Sequence, residues 1–141
     1  MSTTQPIRSK QLLHDFKEYY LTKQPNSRNY TLILIGLNTA LRINDILHLT
    51  WGDVYCTEHS RFYTHLLITE KKTEKETRIL INRELQETLL SYRKTQTSIA
   101  DTDYLFPSPR KADSPLSRYQ AYRIVRKAAE AVGIEDVIRC H

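Results

Sequence analysis

The sequence predicts an α+β domain that is mostly helical, with a small antiparallel β-sheet of two or three strands. Apolar residues recur at the three- and four-residue spacing of a helix face in five segments. Two other segments, 62–69 and 77–81, alternate with the two-residue period of strands. With 141 residues, 40% hydrophobic content, 3 Gly and 5 Pro, the chain has the composition of one folded domain.

The N-terminal part of the chain is predicted to form two helices separated by a break. Ser9 can cap the first helix, which runs to about Leu21. Pro25 interrupts the pattern, and Ser27 can start the second helix. A wide apolar stripe predicts that the second helix is largely buried, and it consists of Tyr30, Ile33, Leu34, Leu37 and Leu41.

Gly36 lies inside the second helix, where it costs about 1 kcal/mol relative to Ala. We therefore expect another backbone to approach it closely. A third, shorter helix is predicted over 43–49 and ends before Thr50. The two predicted strands follow, and Val54–Cys56 can add a third. The charged segment 70–76 between the two strands is expected to be a mobile, solvated loop.

Two helices are predicted in the C-terminal half. Asn82 can cap the first, which runs to about Thr95. Ser117 can cap the second, which runs to Val132 and stops at Gly133. The residues of the first that are expected to point inward are Leu85, Leu89, Leu90 and Tyr92.

Charge and motifs restrict the function. The net charge is +5, and residues 71–141 carry 14 basic and 10 acidic side chains against 7 and 6 in residues 1–70. An anionic partner is therefore possible. The Walker A, GxGxxG, HExxH and GxSxG patterns are absent from the sequence, which disfavours most enzyme classes. Cys56 and Cys140 lie in no spacing typical of a zinc site, so we expect two free thiols, no metal and no cofactor.

Arg42 is the most informative cation, because it lies between two apolar segments in TALRINDIL. Its guanidinium must reach solvent or find acceptors. Asp45 lies three residues later and can hold it by a paired hydrogen bond. Composition alone leaves two interpretations open, a structural Arg–Asp pair and an anion-binding site.

The segment LNTALRINDILHLTWGDV resembles the first motif of the tyrosine recombinases, or phage integrase family. Arg42 matches the first catalytic Arg, and Asp45 matches the acidic residue that follows it. The end of the motif is matched by Leu49, Trp51 and Asp53. Ala40 stands where the family often has Gly, and we attribute that Gly to tight packing.

The resemblance continues into the predicted hairpin. KTEKETRILI, from Lys72, is similar to the family pattern around the catalytic Lys of a β-hairpin loop. Lys72 is the best match and Lys71 the competitor, because Glu74 replaces the usual Gly and the register is open by one residue. DYLFPS at 103–108, the Ser117 helix and His141 follow in family order, and His141 matches the start of the HxLR box.

The resemblance implies a reaction without metal or ATP, in which a Tyr hydroxyl attacks a DNA phosphodiester. Arg42 would contact the phosphate, and Asp45 would support Arg42. Lys72 would protonate the leaving 5′ oxygen, and His141 would assist proton transfer or donate to the phosphate. The second Arg and the nucleophilic Tyr are expected beyond His141. Residues 1–141 are thus expected to be a partial catalytic domain, with the C-terminal helices missing and without a separate N-terminal DNA-binding domain.

Further cations are candidates for DNA contact. Lys71 and Lys75 flank Lys72, while the last helix carries three cations on one face, Arg123, Arg126 and Lys127. Taken alone, hairpin lysines more often form a solvated charged turn, and a solvated face explains the three helix cations equally well. Three hypotheses therefore remain: a truncated recombinase that acts on double-stranded DNA, a non-catalytic DNA-binding remnant or regulator, and a generic interaction domain.

The sequence also leads to expectations about the location and the oligomeric state of the protein. The sequence shows no apolar run of membrane-spanning length and no secretory signal, so a cytoplasmic location is expected. We expect this fragment to be a monomer, whereas a complete family member forms a homo-tetramer on DNA.

Overall fold

The computed structural model describes residues 6–69, 72–111 and 113–134, with side chains from residue 10 onward. It confirms the α+β class. The elements in chain order are α1 (Pro6–Glu18), a π-helical segment (Tyr19–Lys23), α2 (Ser27–Thr39), α3 (Ile43–Leu47), α4 (Trp51–Val54), β1 (Tyr55–Cys56), β2 (Arg61–Phe62), β3 (His65–Thr69), β4 (Glu76–Leu80), α5 (Arg83–Lys94) and α6 (Arg118–Val132).

The first helix begins earlier and ends differently than predicted. It starts at Pro6 rather than after a cap at Ser9, and proline suits a first helical turn because the N–H it lacks would have no partner there. The helix then widens into the π-helical segment, where Tyr19 and Tyr20 are buried. This wider turn carries two consecutive aromatic rings into the core.

Helix α2 is buried along its middle, as predicted. Asn26 caps it by accepting a 3.0 Å hydrogen bond from the N–H of Asn29. The residues from Thr31 to Ile35 are buried, but Leu37 is 42% exposed, so the predicted stripe was wrong at that position. The helix ends at Thr39, before the predicted Leu41.

Helix α4 was missed in the sequence. The N–H of Thr50 donates to the Asp53 carboxylate at 2.8 Å, and the N–H of Trp51 donates to the Asp103 carbonyl at 2.9 Å. The first bond belongs to a capping box, in which the N-cap residue and the third helical residue bond each other, and the sequence Thr50-Trp51-Gly52-Asp53 fits this pattern. These bonds satisfy backbone donors of a four-residue helix that buries Trp51.

The strands number four in the described part of the chain, and they form two separate two-stranded ladders rather than one sheet. In β1–β2, Tyr55 lies opposite Phe62. In β3–β4, the ends of the register are His65 opposite Leu80 and Thr69 opposite Glu76. Tyr63 and Thr64 connect the two ladders. The N–H of Tyr63 donates to the Val54 carbonyl beside the first ladder, and the Thr64 carbonyl accepts from the N–H of Ile81 beside the second.

The caps of the last two helices are confirmed. Asn82 accepts from the N–H of Leu85 at 2.9 Å, and Ser117 accepts from the N–H of Gln120 at 3.1 Å. Gly133 ends α6 in the left-handed conformation, with φ of 85°. Of the four α5 residues predicted to be inward, Leu90 is 43% exposed and the other three are buried.

The core joins both halves of the chain. Helix α2 packs on α5, and α6 packs against α1, the π-helical segment and α3. The Tyr92 ring lies between Trp51 and Phe106, at centroid distances of 5.5 and 6.1 Å, and its hydroxyl donates to the Leu105 carbonyl at 2.5 Å. The predicted first motif and the YLF segment therefore meet in the core.

Candidate nucleic-acid interface

Arg42 lies at the turn between α2 and α3, with a fixed backbone and an exposed side chain. Ala40, two residues earlier, is left-handed, with φ of 58°, and it ends α2. Arg42 is the N-cap residue of α3, and its carbonyl accepts from the N–H groups of Asp45 and Ile46 at 3.0 and 3.1 Å. The backbone thus fixes the point from which the Arg42 side chain extends, and the side chain stays accessible.

The predicted pair of Arg42 and Asp45 was wrong. Within the described part of the chain, the ion pairs involve other residues, and no hydrogen bond joins these two side chains. Arg42 is instead the N-cap residue of α3, with φ of −69° and ψ of 150°, and its side chain makes no capping hydrogen bond.

The Arg42 side chain borders an apolar groove of about 340 Å³. Arg42 is the one charged residue among the described residues that line it. Low-dielectric surroundings strengthen the attraction between a guanidinium and an anion compared with open water. The lining comes from α1, α2, the turn before α3, α3 and α6: Phe16, Leu32, Ile33, Gly36, Leu37, Ala40, Leu41, Arg42, Ile43, Ile46 and Val125.

The turn between β3 and β4 carries the predicted lysines. Lys72 and Lys75 are exposed, and the N–H of Lys75 donates to the Thr73 hydroxyl at 3.2 Å. Glu74 is left-handed, with φ of 55°. Lys71 and His141 lie outside the described residues, so their predicted roles stay predictions.

A second groove, of about 880 Å³, lies between the π-helical segment and α6 and is rich in cations. We call it the cationic groove. Its basic residues are Arg28, Arg123, Arg126 and Lys127, and Glu130 is the one acidic residue among the described residues that line it. Lys127 donates to Gln24 at 3.4 Å across the groove.

An exposed ring accompanies these cations. Tyr119 is 70% exposed, and the Arg123 guanidinium lies 5.8 Å from its ring centroid. Arg28 was not predicted as a site residue. It lies on α2, 95 positions before Arg123 in sequence, and no local pattern indicates that the two residues line one groove.

The predicted cations therefore lie in different places. Arg42 borders the apolar groove, whereas Arg123, Arg126 and Lys127 line the cationic groove, and the two grooves share no lining residue in the described part of the chain. Helix α6 connects them, because Val125 faces the apolar groove. None of the helices in the described segments is long and apolar enough to span a membrane.

Comparisons with known proteins identify relatives of this chain. The phage integrase family matches residues 5–141. The probable integrase/recombinase YoeC of Bacillus subtilis strain 168 is 42% identical over 137 residues, which are 97% of this chain and 69% of YoeC.

Two solved structures share the fold. XerA recombinase superposes with a TM-score of 0.71 at 21% identity, over 96% of this chain and 44% of XerA. The Tn1549 transposon integrase, solved in complex with a circular intermediate DNA, superposes with a TM-score of 0.55 at 19% identity, over 92% of this chain and 46% of that one. The chain therefore spans less than half the length of each solved structure.

Proposed function

The chain belongs to the phage integrase family, and on that premise we propose that it is part of the catalytic domain of a site-specific recombinase. The reaction would break and rejoin DNA strands through a phosphotyrosine intermediate. A Tyr hydroxyl displaces the 5′ oxygen and forms a 3′-phosphotyrosyl bond, and a 5′ hydroxyl then reverses the step. The exposed Arg42 guanidinium at the edge of an apolar groove is the observation that carries this proposal.

Arg42 is proposed to hold the scissile phosphate. The transition state gathers negative charge on the non-bridging oxygens, and a planar guanidinium can donate to two of them at once. One such donor is typically worth about 3 kcal/mol of barrier. Because Asp45 does not hold the side chain, we assign its orientation to the backbone of the α2–α3 turn and to the groove.

Lys72 is proposed as the general acid that protonates the leaving 5′ oxygen. The left-handed backbone of Glu74 supports the register that the resemblance implies, because Gly is the residue that adopts this conformation most readily. In that register, position 74 takes the place of the family Gly and Lys72 the place of the catalytic Lys. Lys71 remains the competing candidate, and His141 is proposed to assist at the phosphate.

The nucleophile is proposed to lie outside residues 1–141, since all nine Tyr residues precede His141. Two of them are already engaged in the core, where Tyr20 donates to Ile124 at 2.7 Å and Tyr92 donates to Leu105. We expect the 141-residue chain, as a monomer, to bind double-stranded DNA without cleaving it. The alternative is a protein whose function is DNA binding alone, which the cationic groove favours.

A nicked suicide substrate tests the absence of the nucleophile. A covalent protein–DNA adduct formed by the 141-residue chain would refute it, whereas a complete recombinase, run as the positive control, traps its own substrate. The coding sequence after the His141 codon then separates the two functions. An in-frame second Arg and Tyr would support the enzyme, whereas an immediate stop codon would support the DNA-binding protein.

The role of Arg42 is tested by the salt dependence of duplex binding. Each neutralised phosphate contributes roughly 0.9 to the slope of log K against log salt. Arg42→Gln should lower the slope by about that amount, whereas Arg61→Gln, an exposed Arg on β2, should leave it unchanged. Equal slopes for both variants and the parent protein would contradict a phosphate contact at Arg42.

A further inference from the structure

The β1–β2 hairpin brings together three side chains that can bind a metal. Cys56 ends β1, and Glu58 and His59 lie in the turn 57–60. The Cys56 sulfur, a Glu58 carboxylate oxygen and a His59 ring nitrogen all lie within 4.8 Å of one another. We propose that these three residues form a zinc site on the surface of the protein.

The spacing of the three atoms is close to what zinc requires. Tetrahedral zinc with sulfur, nitrogen and oxygen ligands holds its ligand atoms roughly 3.3 to 3.6 Å apart, given metal–ligand bonds of about 2.0 to 2.3 Å. Glu58 Oε1 and His59 Nε2 are already 3.7 Å apart. Because the side chains of Glu58 and His59 are 85% and 60% exposed, small rotamer changes can close the remaining gap.

The hairpin that carries the ligands is held at several points. Ser60 adopts φ of 51°, which folds the turn back on itself. The Thr57 hydroxyl donates to the Asp101 carboxylate at 2.7 Å, which ties the turn to the loop before Tyr104. At the base, Tyr55 packs edge-to-face on Phe62, with ring centroids 4.9 Å apart, and the Arg93 guanidinium lies 3.9 Å from the Tyr55 ring.

Polar groups lie beside the proposed ligands. The Tyr63 hydroxyl lies near the Cys56 thiol and can donate to the sulfur of a metal-bound thiolate, as partners of metal ligands commonly do. The Asp101 carboxylate contributes a further negative charge near this hydroxyl. A thiolate, an imidazole and a carboxylate form a ligand set that zinc accepts, and water would take the fourth position.

This site departs from the sequence-based prediction of two free thiols and no metal. Cys56 and His59 are three positions apart, but two ligands rarely make a site. Glu58 in the turn is the third ligand, and the folded hairpin shows that its carboxylate lies near the other two ligand atoms. The site is separate from both grooves, because none of its three residues lines either.

Cobalt substitution tests the ligand set. The protein is the 141-residue chain with Cys140→Ser, so that Cys56 is the one thiol. Titration with Co²⁺ should produce a thiolate-to-metal charge-transfer absorption that saturates at one metal per chain and disappears when Zn²⁺ is added. Absence of this absorption at saturating Co²⁺ would overturn the proposal.

Point variants identify the ligands. Cys56→Ser should abolish the absorption, and His59→Gln and Glu58→Gln should each weaken Zn²⁺ binding at least about tenfold in competition with a chromophoric chelator. His14→Gln, which removes an exposed histidine on α1, should change nothing. Because Glu58 and His59 are exposed, their variants should fold, and circular dichroism checks this. Unchanged affinity in His59→Gln would overturn the proposal.

Discussion

Gly52 lies against the backbone of Asp101, and its N–H donates to the Asp101 carbonyl at 2.8 Å. A Cβ at position 52 would lie 3.0 Å from that oxygen and 3.2 Å from the Asp101 Cβ. This close approach docks the loop before Tyr104 onto α4, and it explains a Gly between Trp51 and Asp53.

Gly52→Ala should therefore destabilise the protein, because the loop must move away from the added methyl group. Overpacking of this kind costs about 1 to 3 kcal/mol. Urea unfolding of the variant and the parent protein measures the difference in the free energy of unfolding. Equal stability would mean that the loop yields without cost and that the close approach is not required.

At Gly36 we expect the opposite effect of a change to Ala, namely a gain in stability. A Cβ at this position would have Ile46 Cδ1 as its nearest neighbour, at 4.0 Å, so the predicted close approach of another backbone was wrong. Gly36→Ala should stabilise α2 by about 0.5 to 1 kcal/mol through helix propensity. The same urea measurement serves as the test, and a loss of stability would indicate a packing role that the 4.0 Å contact does not suggest.

Ala40 shows a different reason for the Gly that the family often has at this position. Its φ of 58° lies in the left-handed region where α2 ends, so the position favours Gly for its backbone conformation rather than for tight packing. Ala40→Gly should stabilise the protein by about 0.5 to 1 kcal/mol. Thermal unfolding of this variant, run beside Gly36→Ala, measures the change in stability. An unfolding midpoint below that of the parent protein for Ala40→Gly would contradict the conformational explanation.

The sequence predicted what depends on local patterns and missed what depends on tertiary contacts. The caps at Asn82 and Ser117 were found because each cap residue bonds within its own first turn. Leu37 was predicted to be buried because helical periodicity identifies an apolar face without showing what covers it. In the candidate site, the motif indicated Arg42, whereas Arg28 joins the α6 cations only in the folded groove, which no local pattern in the sequence indicated.

Tyr92 should make the stability of the protein depend on alkaline pH. Burial raises the pKa of Tyr92 to about 12, against an ordinary value of about 10. Below about pH 10 both states keep the proton, so the contribution of Tyr92 is complete; from about pH 10 to 12 the unfolded state loses its proton first and stability falls. The loss is on the order of 2 kcal/mol.

The variant Tyr92→Phe isolates this effect. It should lose about 1 to 2 kcal/mol at neutral pH, because the buried Leu105 carbonyl loses its donor. Between about pH 9 and pH 11.5, however, its unfolding free energy should fall less than that of the parent protein. Burial also raises the pKa of Tyr20 to about 12, so some pH dependence should remain. An equal fall in both proteins would contradict the assignment to Tyr92.

Arg28 should contribute to DNA binding as much as the predicted cations of α6, if the cationic groove contacts phosphates. It lines the groove with Arg123, Arg126 and Lys127, and its Nε atom donates to Asn29 at 2.9 Å, which leaves the other guanidinium nitrogens available. Arg28→Gln and Arg123→Gln should each lower the salt slope of duplex binding by roughly 0.9. Arg83→Gln is the matched control, since this side chain is 92% exposed on α5 and lines neither groove. A slope that falls in Arg123→Gln but not in Arg28→Gln would restrict the phosphate contact to the α6 side of the cationic groove.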